Sequence, residues 1–207
     1  SDVYKRQSGG FIDRYGYPFC RGRIFDVVEK DCGQYDTITE VMWVTGAALF
    51  IRLADYREVG GLDGHFFAHM EEIDLCWRLR SRGKKLVCIP QSVVYHVGGA
   101  TLKKENPRKT FLNFRNNLLM LYKNLPDKEL EHVLFIRGIL DRVAALVFYL
   151  KKDRANARAV MQARREFEDI RYSFAASRIE NMMKSTDEII PERTHFSIVM
   201  KLSLIHI

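Results

Sequence analysis

Three carboxylates fall within four positions, at Glu71, Glu72 and Asp74. They follow an aromatic loop and open a stretch that predicts a helix over residues 71–82. On that helix Glu72 and Asp74 are separated by about 200°, whereas Asp74 and Arg78 are four residues apart and can form a structural pair. Glu72, or Glu71 beside it, is then free to act as a general base toward a substrate hydroxyl. The alternative is an acidic helix cap, which also suits the helix dipole.

Histidines supply the second group of candidates. His96 ends an apolar strand just before two glycines, a position that suits a metal ion or a phosphate, although a lone histidine more often has a structural role. His65 and His69 have the spacing of two zinc-protease ligands, but Phe66 stands where that motif requires glutamate. The sequence therefore excludes the zinc-protease hypothesis.

Two arginines and a tryptophan are candidate binding residues. Arg21 and Arg23 lie in a Gly-rich region, residues 9–40, that predicts a long ordered loop, and they could face an anionic ligand. Solvated surface charge is an equal alternative for both. Trp43 could be a platform on which a sugar stacks, but a core position is favoured.

The elements that must position these residues follow from apolar patterning. The run at 41–52 predicts a strand buried on both faces, with a break at Gly46, and so an α/β protein. A short helix over 53–59 should end at Gly60–Gly61. The other predicted elements are strands at 85–89 and 92–96 and helices at 107–124, 127–152 and 155–184.

Composition excludes several classes of protein. The chain has 207 residues, of which 47% are hydrophobic and 29% charged, which is typical of a packed globular domain and not of a disordered chain. Its four cysteines form no CxxC pair, so a zinc knuckle or a disulfide scaffold is not indicated, and a reducing compartment fits best. The most apolar stretch, 133–150, is interrupted by charges; it could lie on a membrane but not cross one.

The net charge of +7 comes from one segment, because residues 101–172 carry 16 basic and 9 acidic groups while the rest is balanced. Basic residues there precede a helix with a broad apolar face, a combination typical of docking on anionic lipid. Packing of that face on the protein's own core or on a second subunit is the alternative. No nucleic-acid motif accompanies the charge, so we expect no nucleic-acid partner.

The motifs together resemble the second half of family-2 glycosyltransferases of the GT-A fold, most closely the bacterial rhamnosyltransferase-like branch. The resemblance covers about residues 9–125 and depends on several motifs recurring in order. These are Trp43-Val-Thr-Gly46-Ala-Ala, Gly60-Gly61-Leu-Asp63 with Phe66-Phe67, Glu71-Glu72-Ile-Asp74-Leu-Cys-Trp77-Arg78, and then Gly83, Pro90 and His96.

This resemblance implies an inverting transfer of a sugar from a nucleotide-diphosphate donor to a hydroxyl of a glycan or lipid-linked acceptor, in cell-surface polysaccharide or glycolipid synthesis. Glu71 or Glu72 would be the base; the family usually has aspartate at the second position, so the choice between them stays open. His96 matches a histidine that in some relatives helps hold a divalent metal, Mn or Mg. The candidate substrate-binding residues are Trp43, Gly46, Asp63, Arg78, Arg21 and Arg23.

The resemblance also implies a domain organisation. Residues 8–125 would be the acceptor and catalytic half of a GT-A domain, and 126–201 a helical extension. Residues 1–7 and 202–207 are interpreted as non-native tails. The family's donor half, with its Asp-x-Asp metal motif, has no counterpart here, so we expect this fragment alone to be inactive. We expect the parent enzyme to be cytoplasmic and peripheral on the inner face of the plasma membrane. The alternative is a basic helical membrane- or partner-binding module with a non-catalytic α/β part.

Overall fold

The computed structural model describes residues 8–24, 27–94, 106–186, 190 and 192–199. It is a mixed α and β structure, and its residues group into two compact units that alternate along the chain. The first unit takes its described residues from 1–61, 75–95 and 185–207, and the second from 62–74 and 96–184.

The first unit contains a four-stranded antiparallel sheet whose strands follow chain order. The register pairs Phe11 with Phe19 and Ile24 with Val27. Tight connections between such short strands account for the turn-forming glycines of this region, since Gly22 has a φ of +77°. The strands are β1 (Gly10–Ile12), β2 (Pro18–Cys20), β3 (Arg23–Ile24) and β4 (Val27–Val28).

The long strand predicted over 41–52 is wrong. Val41–Trp43 are buried, but Gly46–Ala48 form a 3₁₀ turn in which the Thr45 hydroxyl accepts the Ala47 N–H, and Phe50 is 90% exposed. The apolar run therefore covers several local conformations. The strand predicted over 92–96 is also absent from its described residues, 92–94.

A two-stranded ladder flanks this region. It pairs β5 (Thr39–Glu40) with β6 (Val87–Cys88), so the strand predicted over 85–89 is present but shorter. None of the four cysteines is in a disulfide.

Three predicted helices, over 53–59, 71–82 and 107–124, have the observed bounds to within one residue. Helix α1 (Leu53–Glu58) ends at Gly60 and Gly61, whose φ values of +83° and +67° favour glycine. Helix α2 (Glu71–Ser81) has acids in its first turn and arginines in its last, which complements the helix dipole. Val59, Leu75 and Leu79 form a small core cluster in the first unit.

The second unit is helical. Helix α3 (Pro107–Asn124) begins where predicted, because the Asn106 side chain accepts the Arg108 N–H and Pro107 needs no donor at the first helical position. The helix predicted over 155–184 is divided by a 3₁₀ turn, where the Ser173 hydroxyl donates to the Ile170 carbonyl. The remaining helices are α4 (Asp127–Leu150), α5 (Arg154–Ile170) and α6 (Ala175–Lys184).

Helix α5 packs between α3 and α4. Its buried face carries small residues, Ala159 and Ala163, which permit close approach, and ends in the fully buried Phe167. On α4 the charges that interrupt the apolar stretch lie inside: Arg137 and Asp141 are buried and paired, Nε to Oδ1 at 3.3 Å. Along the described parts of the chain, no helix has the length and apolar character needed to span a bilayer.

Candidate active site

Glu71 and Glu72 occupy the first turn of α2, and both are half-buried. In each carboxylate, Oε2 is buried and has no hydrogen-bond partner among the described residues. Burial, followed by the negative charge of Glu71, raises the pKa of Glu72 to about 7, although the backbone N–H groups of Glu72 and Ile73 oppose the shift. A carboxylate with a pKa near neutrality and a spare lone pair is suited to accept a proton from a bound hydroxyl.

The loop before α2 has an unusual backbone. Phe67, His69 and Met70 have φ values of +63°, +68° and +72°, a region that side chains other than glycine seldom occupy. Each such residue costs about 1 kcal/mol, so the surrounding contacts must hold the loop in place. The loop ends at Met70, directly before Glu71 at the start of α2.

Asn116 of α3 supplies those contacts. Its side chain is fully buried, and Nδ2 lies 2.8 Å from each of three loop carbonyls, those of Phe66, Ala68 and His69. Sequence analysis missed this residue. The available signal was the pair of adjacent asparagines on the buried face of an amphipathic helix, where polar side chains need specific partners.

His69 is a second residue that sequence analysis did not place in the site. Its Nε2 is buried without a partner among the described residues. Burial and then the Lys109 charge lower the pKa of His69, with Glu71 opposing, which favours the neutral imidazole. Two carboxylate oxygens and an imidazole nitrogen, all buried without a hydrogen-bond partner among the described residues, thus occur within four residues.

Asp63 and Asp74 are held by α3. Lys123 Nζ lies 2.7 Å from Asp63 Oδ2 and 2.9 Å from Asp74 Oδ2, and Asn124 Nδ2 lies 2.8 Å from Asp74 Oδ1. Burial would raise the pKa of Asp63, but the hydrogen bond and charge of Lys123, with His65, lower it to about 2. These contacts favour a structural role for Asp63, as the turn that leads toward α2, over direct contact with substrate.

Two candidates of the first unit are integrated into its interior. Trp43 is 7% exposed and its Nε1 donates to the Phe11 carbonyl at 3.0 Å, so the ring is a core residue and not a sugar platform. Arg78 is 5% exposed, and Nη2 donates to the Gly61 carbonyl at 2.7 Å. Its guanidinium also donates to the Val59 carbonyl, which favours a structural role over binding of substrate.

The other candidates of this unit lie at its surface or near it. Arg21 stacks over the Tyr35 ring at 5.0 Å, and its Nη1 has no partner among the described residues. Arg23 contacts the Cys20 sulfur at 3.6 Å. Gly46 is exposed in its 3₁₀ turn.

The predicted metal ligand, His96, lies outside the described residues. Within the described ranges, no group of three or more His, Cys, Asp or Glu side chains could hold a metal ion. The described residues therefore do not by themselves fit a divalent metal site.

Three relatives match parts of the chain. A pre-mycofactocin glycosyltransferase of Mycobacterium tuberculosis is 31% identical over 141 residues, 63% of this chain and 29% of that protein. An N-acetylglucosaminyl-diphospho-decaprenol L-rhamnosyltransferase of the same species is 38% identical over 56 residues, 27% of this chain and 18% of that protein. The rhamnosyltransferase WbbL of Escherichia coli is 32% identical over 69 residues, 33% of this chain and 25% of that protein. All three are glycosyltransferases.

The similarity to these three relatives supports a glycosyltransferase family for the chain. The chain spans less than a third of the length of the curated relatives it matches. No protein-family model matches the sequence. No solved structure matches it.

Proposed function

We propose that this chain is the acceptor-side part of an inverting glycosyltransferase of the GT-A type, with Glu72 as the general base. The observation that carries the proposal is the buried, unpartnered Oε2 of Glu72 at the start of α2. The similarity to two rhamnosyltransferases and a further glycosyltransferase supports the same chemistry.

In the proposed reaction the acceptor hydroxyl oxygen attacks the anomeric carbon of the donor sugar. The new C–O bond forms as the bond from that carbon to the nucleotide diphosphate breaks, and the hydroxyl proton passes to Glu72. A base with a pKa near 7 is ionised often enough to accept the proton and basic enough to drive its transfer. Inversion follows from attack on the face opposite the leaving group.

The choice between the two glutamates rests on their surroundings. The Glu71 charge is the second cause of the raised pKa of Glu72, so we assign Glu71 the role of raising the proton affinity of its neighbour. The longer side chain at a position where the family usually has aspartate would place the Glu72 oxygen one methylene further out from the helix.

The described residues do not by themselves supply the sites for the donor and its metal. A nucleotide-sugar donor with Mn or Mg would be held by His96 and by residues outside this chain. A divalent ion would supply charge stabilisation for the leaving diphosphate. One relative is named for a decaprenol-linked acceptor, which is consistent with a glycan or lipid-linked acceptor in cell-surface polysaccharide or glycolipid synthesis.

We further propose that the protein contacts the inner face of the plasma membrane peripherally, from the cytoplasm. Helix α4 supports this, because it leaves a row of apolar side chains at least 43% exposed while its charged residues Arg137 and Asp141 lie inside. The row consists of Phe135, Ile139, Val143, Leu146, Val147 and Leu150. The alternative of a non-catalytic binding module is not favoured, since the relatives are transferases.

The test uses the complete protein that carries this chain, assayed for nucleotide-sugar turnover with Mn or Mg. Glu72→Gln should lower kcat about 100-fold or more, because a positioned base contributes about 10² to 10⁴. Glu72→Asp should retain part of the activity, and Glu71→Gln should retain most of it but shift the acid limb of the kcat/KM profile to lower pH. Equal activity in wild type and Glu72→Gln would overturn the assignment.

A further inference from the structure

We propose that Asn116 is a positioning residue, which holds the loop before α2 in its left-handed conformation and so fixes where Glu71 and Glu72 point. This inference rests on the proposed function for its catalytic consequence. The holding of the loop itself is a property of the fold that can be measured without activity.

Asn116 contacts the loop through an irregular arrangement of the loop carbonyls. Three carbonyls, those of Phe66, Ala68 and His69, converge on Asn116 Nδ2 at 2.8 Å each. Carbonyls of successive residues in regular backbone do not converge on one point. They do so here because Phe67 and His69 have positive φ values that turn the chain around the amide.

The side-chain amide of Asn116 has the donors that these carbonyls need. A carboxamide has two N–H donors on one nitrogen, which can be shared among three closely placed acceptors. A carboxylate of the same shape would repel all three carbonyls. An aliphatic side chain would remove this donor from all three: the Phe66 carbonyl would keep the Ala68 N–H at 2.7 Å, whereas those of Ala68 and His69 would lose the amide as a partner. An amide at 116 therefore suits the loop better than a carboxylate or an aliphatic side chain.

Two further side chains on the same face of α3 contact the segment around the loop. Lys123 and Asn124 lie seven and eight positions after Asn116, two turns along the same face. They bind Asp63 and Asp74, one before the loop and one after it. Helix α3 thus contacts the segment 63–74 at both ends and in the middle. Glu71 and Glu72 lie between the contact at His69 and the contact at Asp74.

The experiment compares Asn116→Leu with the wild type and with Asn156→Leu. Asn156 is the control, since it is a buried asparagine whose Nδ2 donates to Asp153 Oδ2 at 2.6 Å in the first turn of α5. Amide hydrogen exchange across residues 66–72 reports the loop in this chain. Steady-state kinetics of the complete protein report catalysis, and Asn116→Gln, which keeps the amide, tests rescue.

We expect Asn116→Leu to speed exchange in 66–72 at least tenfold relative to Asn156→Leu. In the complete protein it should lower kcat about 10- to 100-fold with less than a threefold change in acceptor KM, and move the acid limb of kcat/KM to lower pH as Glu72 becomes more hydrated. Asn116→Gln should recover part of both effects. If Asn116→Leu fails to fold, Asn116→Ser, which keeps one donor, takes its place with the same expectations.

Unchanged exchange in 66–72, or a kcat equal to that of Asn156→Leu, would overturn the positioning role. Failure of the proposed function looks different. A wild type without transferase activity, or full activity in Glu72→Gln, would remove the catalytic consequence while the exchange data still decide whether Asn116 holds the loop.

Discussion

Glu72 is a half-buried carboxylate at the start of α2 whose Oε2 has no hydrogen-bond partner among the described residues. A carboxylate at a helix N-terminus is ordinarily stabilised in its ionised form, yet burial and the neighbouring Glu71 reverse that tendency and raise the pKa of Glu72 to about 7. A group whose ionised form is disfavoured in the folded state lowers the stability of the fold. That cost is expected at a site shaped for function.

The cost can be measured. The pKa of Glu72 is about 7 in the folded state against an ordinary glutamate pKa of 4.5, so the native state binds an extra proton between these two pH values. Stability therefore falls as pH rises from about 4.5 to 7, and the penalty persists above 7. Glu72→Gln, which stays neutral, should raise the free energy of unfolding at pH 8 by about 3 kcal/mol and leave it nearly unchanged at pH 4.

Urea denaturation at the two pH values checks this, with the exposed Asp169→Asn as the control for loss of one negative charge. A gain for Glu72→Gln that is the same at pH 4 and pH 8 would show that the pKa of Glu72 is not raised.

At the scale of elements, helix α3 buries several polar side chains that contact the segment before α2. Its buried face carries Asn116, Asn117, Lys123 and Asn124 among leucines, where an amphipathic helix normally buries only apolar side chains. Each of these polar groups has partners: Asn117 Oδ1 accepts from Arg137, and Lys123 pairs with two aspartates. Side chains of α3 therefore hold the segment 63–74 in place, in addition to forming part of the core. We call this the template role of α3.

Lys123→Met tests this at the ion pair. The side chain of Lys123 is 3% exposed, and its removal leaves the buried Asp74 and Asp63 without their shared cation. Removing one partner of a buried pair costs about 3 kcal/mol or more, so the free energy of unfolding should fall by about that amount. Lys184→Met, which breaks the exposed pair with Glu180, should cost less than about 1 kcal/mol in the same urea titration. Equal losses in the two variants would contradict the template role.

At the scale of the whole molecule, charge and apolar exposure lie in the same helical region. The +7 net charge is contributed by residues 101–172, and this segment also contains the exposed apolar row of α4. Apolar insertion and electrostatic attraction to anionic lipid add to one another, so the combination favours a membrane surface over a neutral partner.

The membrane proposal predicts that the protein co-sediments with vesicles containing phosphatidylglycerol and that Leu146→Asp with Leu150→Asp reduces binding at least tenfold. Ile179→Asp, an exposed apolar residue of α6, is the matched control and should bind as the wild type does. Weakening by salt is expected as well. A double variant that still binds vesicles, or one that instead changes the oligomeric state, would assign the α4 row to another surface.

The sequence by itself determined the local features. The starts of α2 and α3, the stop at Gly60–Gly61 and the glutamate pair at a helix N-terminus all follow from short-range signals, namely caps, glycines and charge order. Short-range signals work there because the competing conformations differ within a few residues. The motif order likewise pointed to a glycosyltransferase, which the relatives support.

Tertiary structure alone decided which of these residues are buried and what they touch. Asn116 meets its loop carbonyls across about 50 positions, and Lys123 meets Asp63 across 60. The apolar run at 41–52 predicted a strand, but only its first residues found a core to enter, with Trp43 buried against the sheet. The pKa of Glu72 belongs to the same class, because desolvation depends on what the fold packs around a side chain and no local pattern encodes that environment.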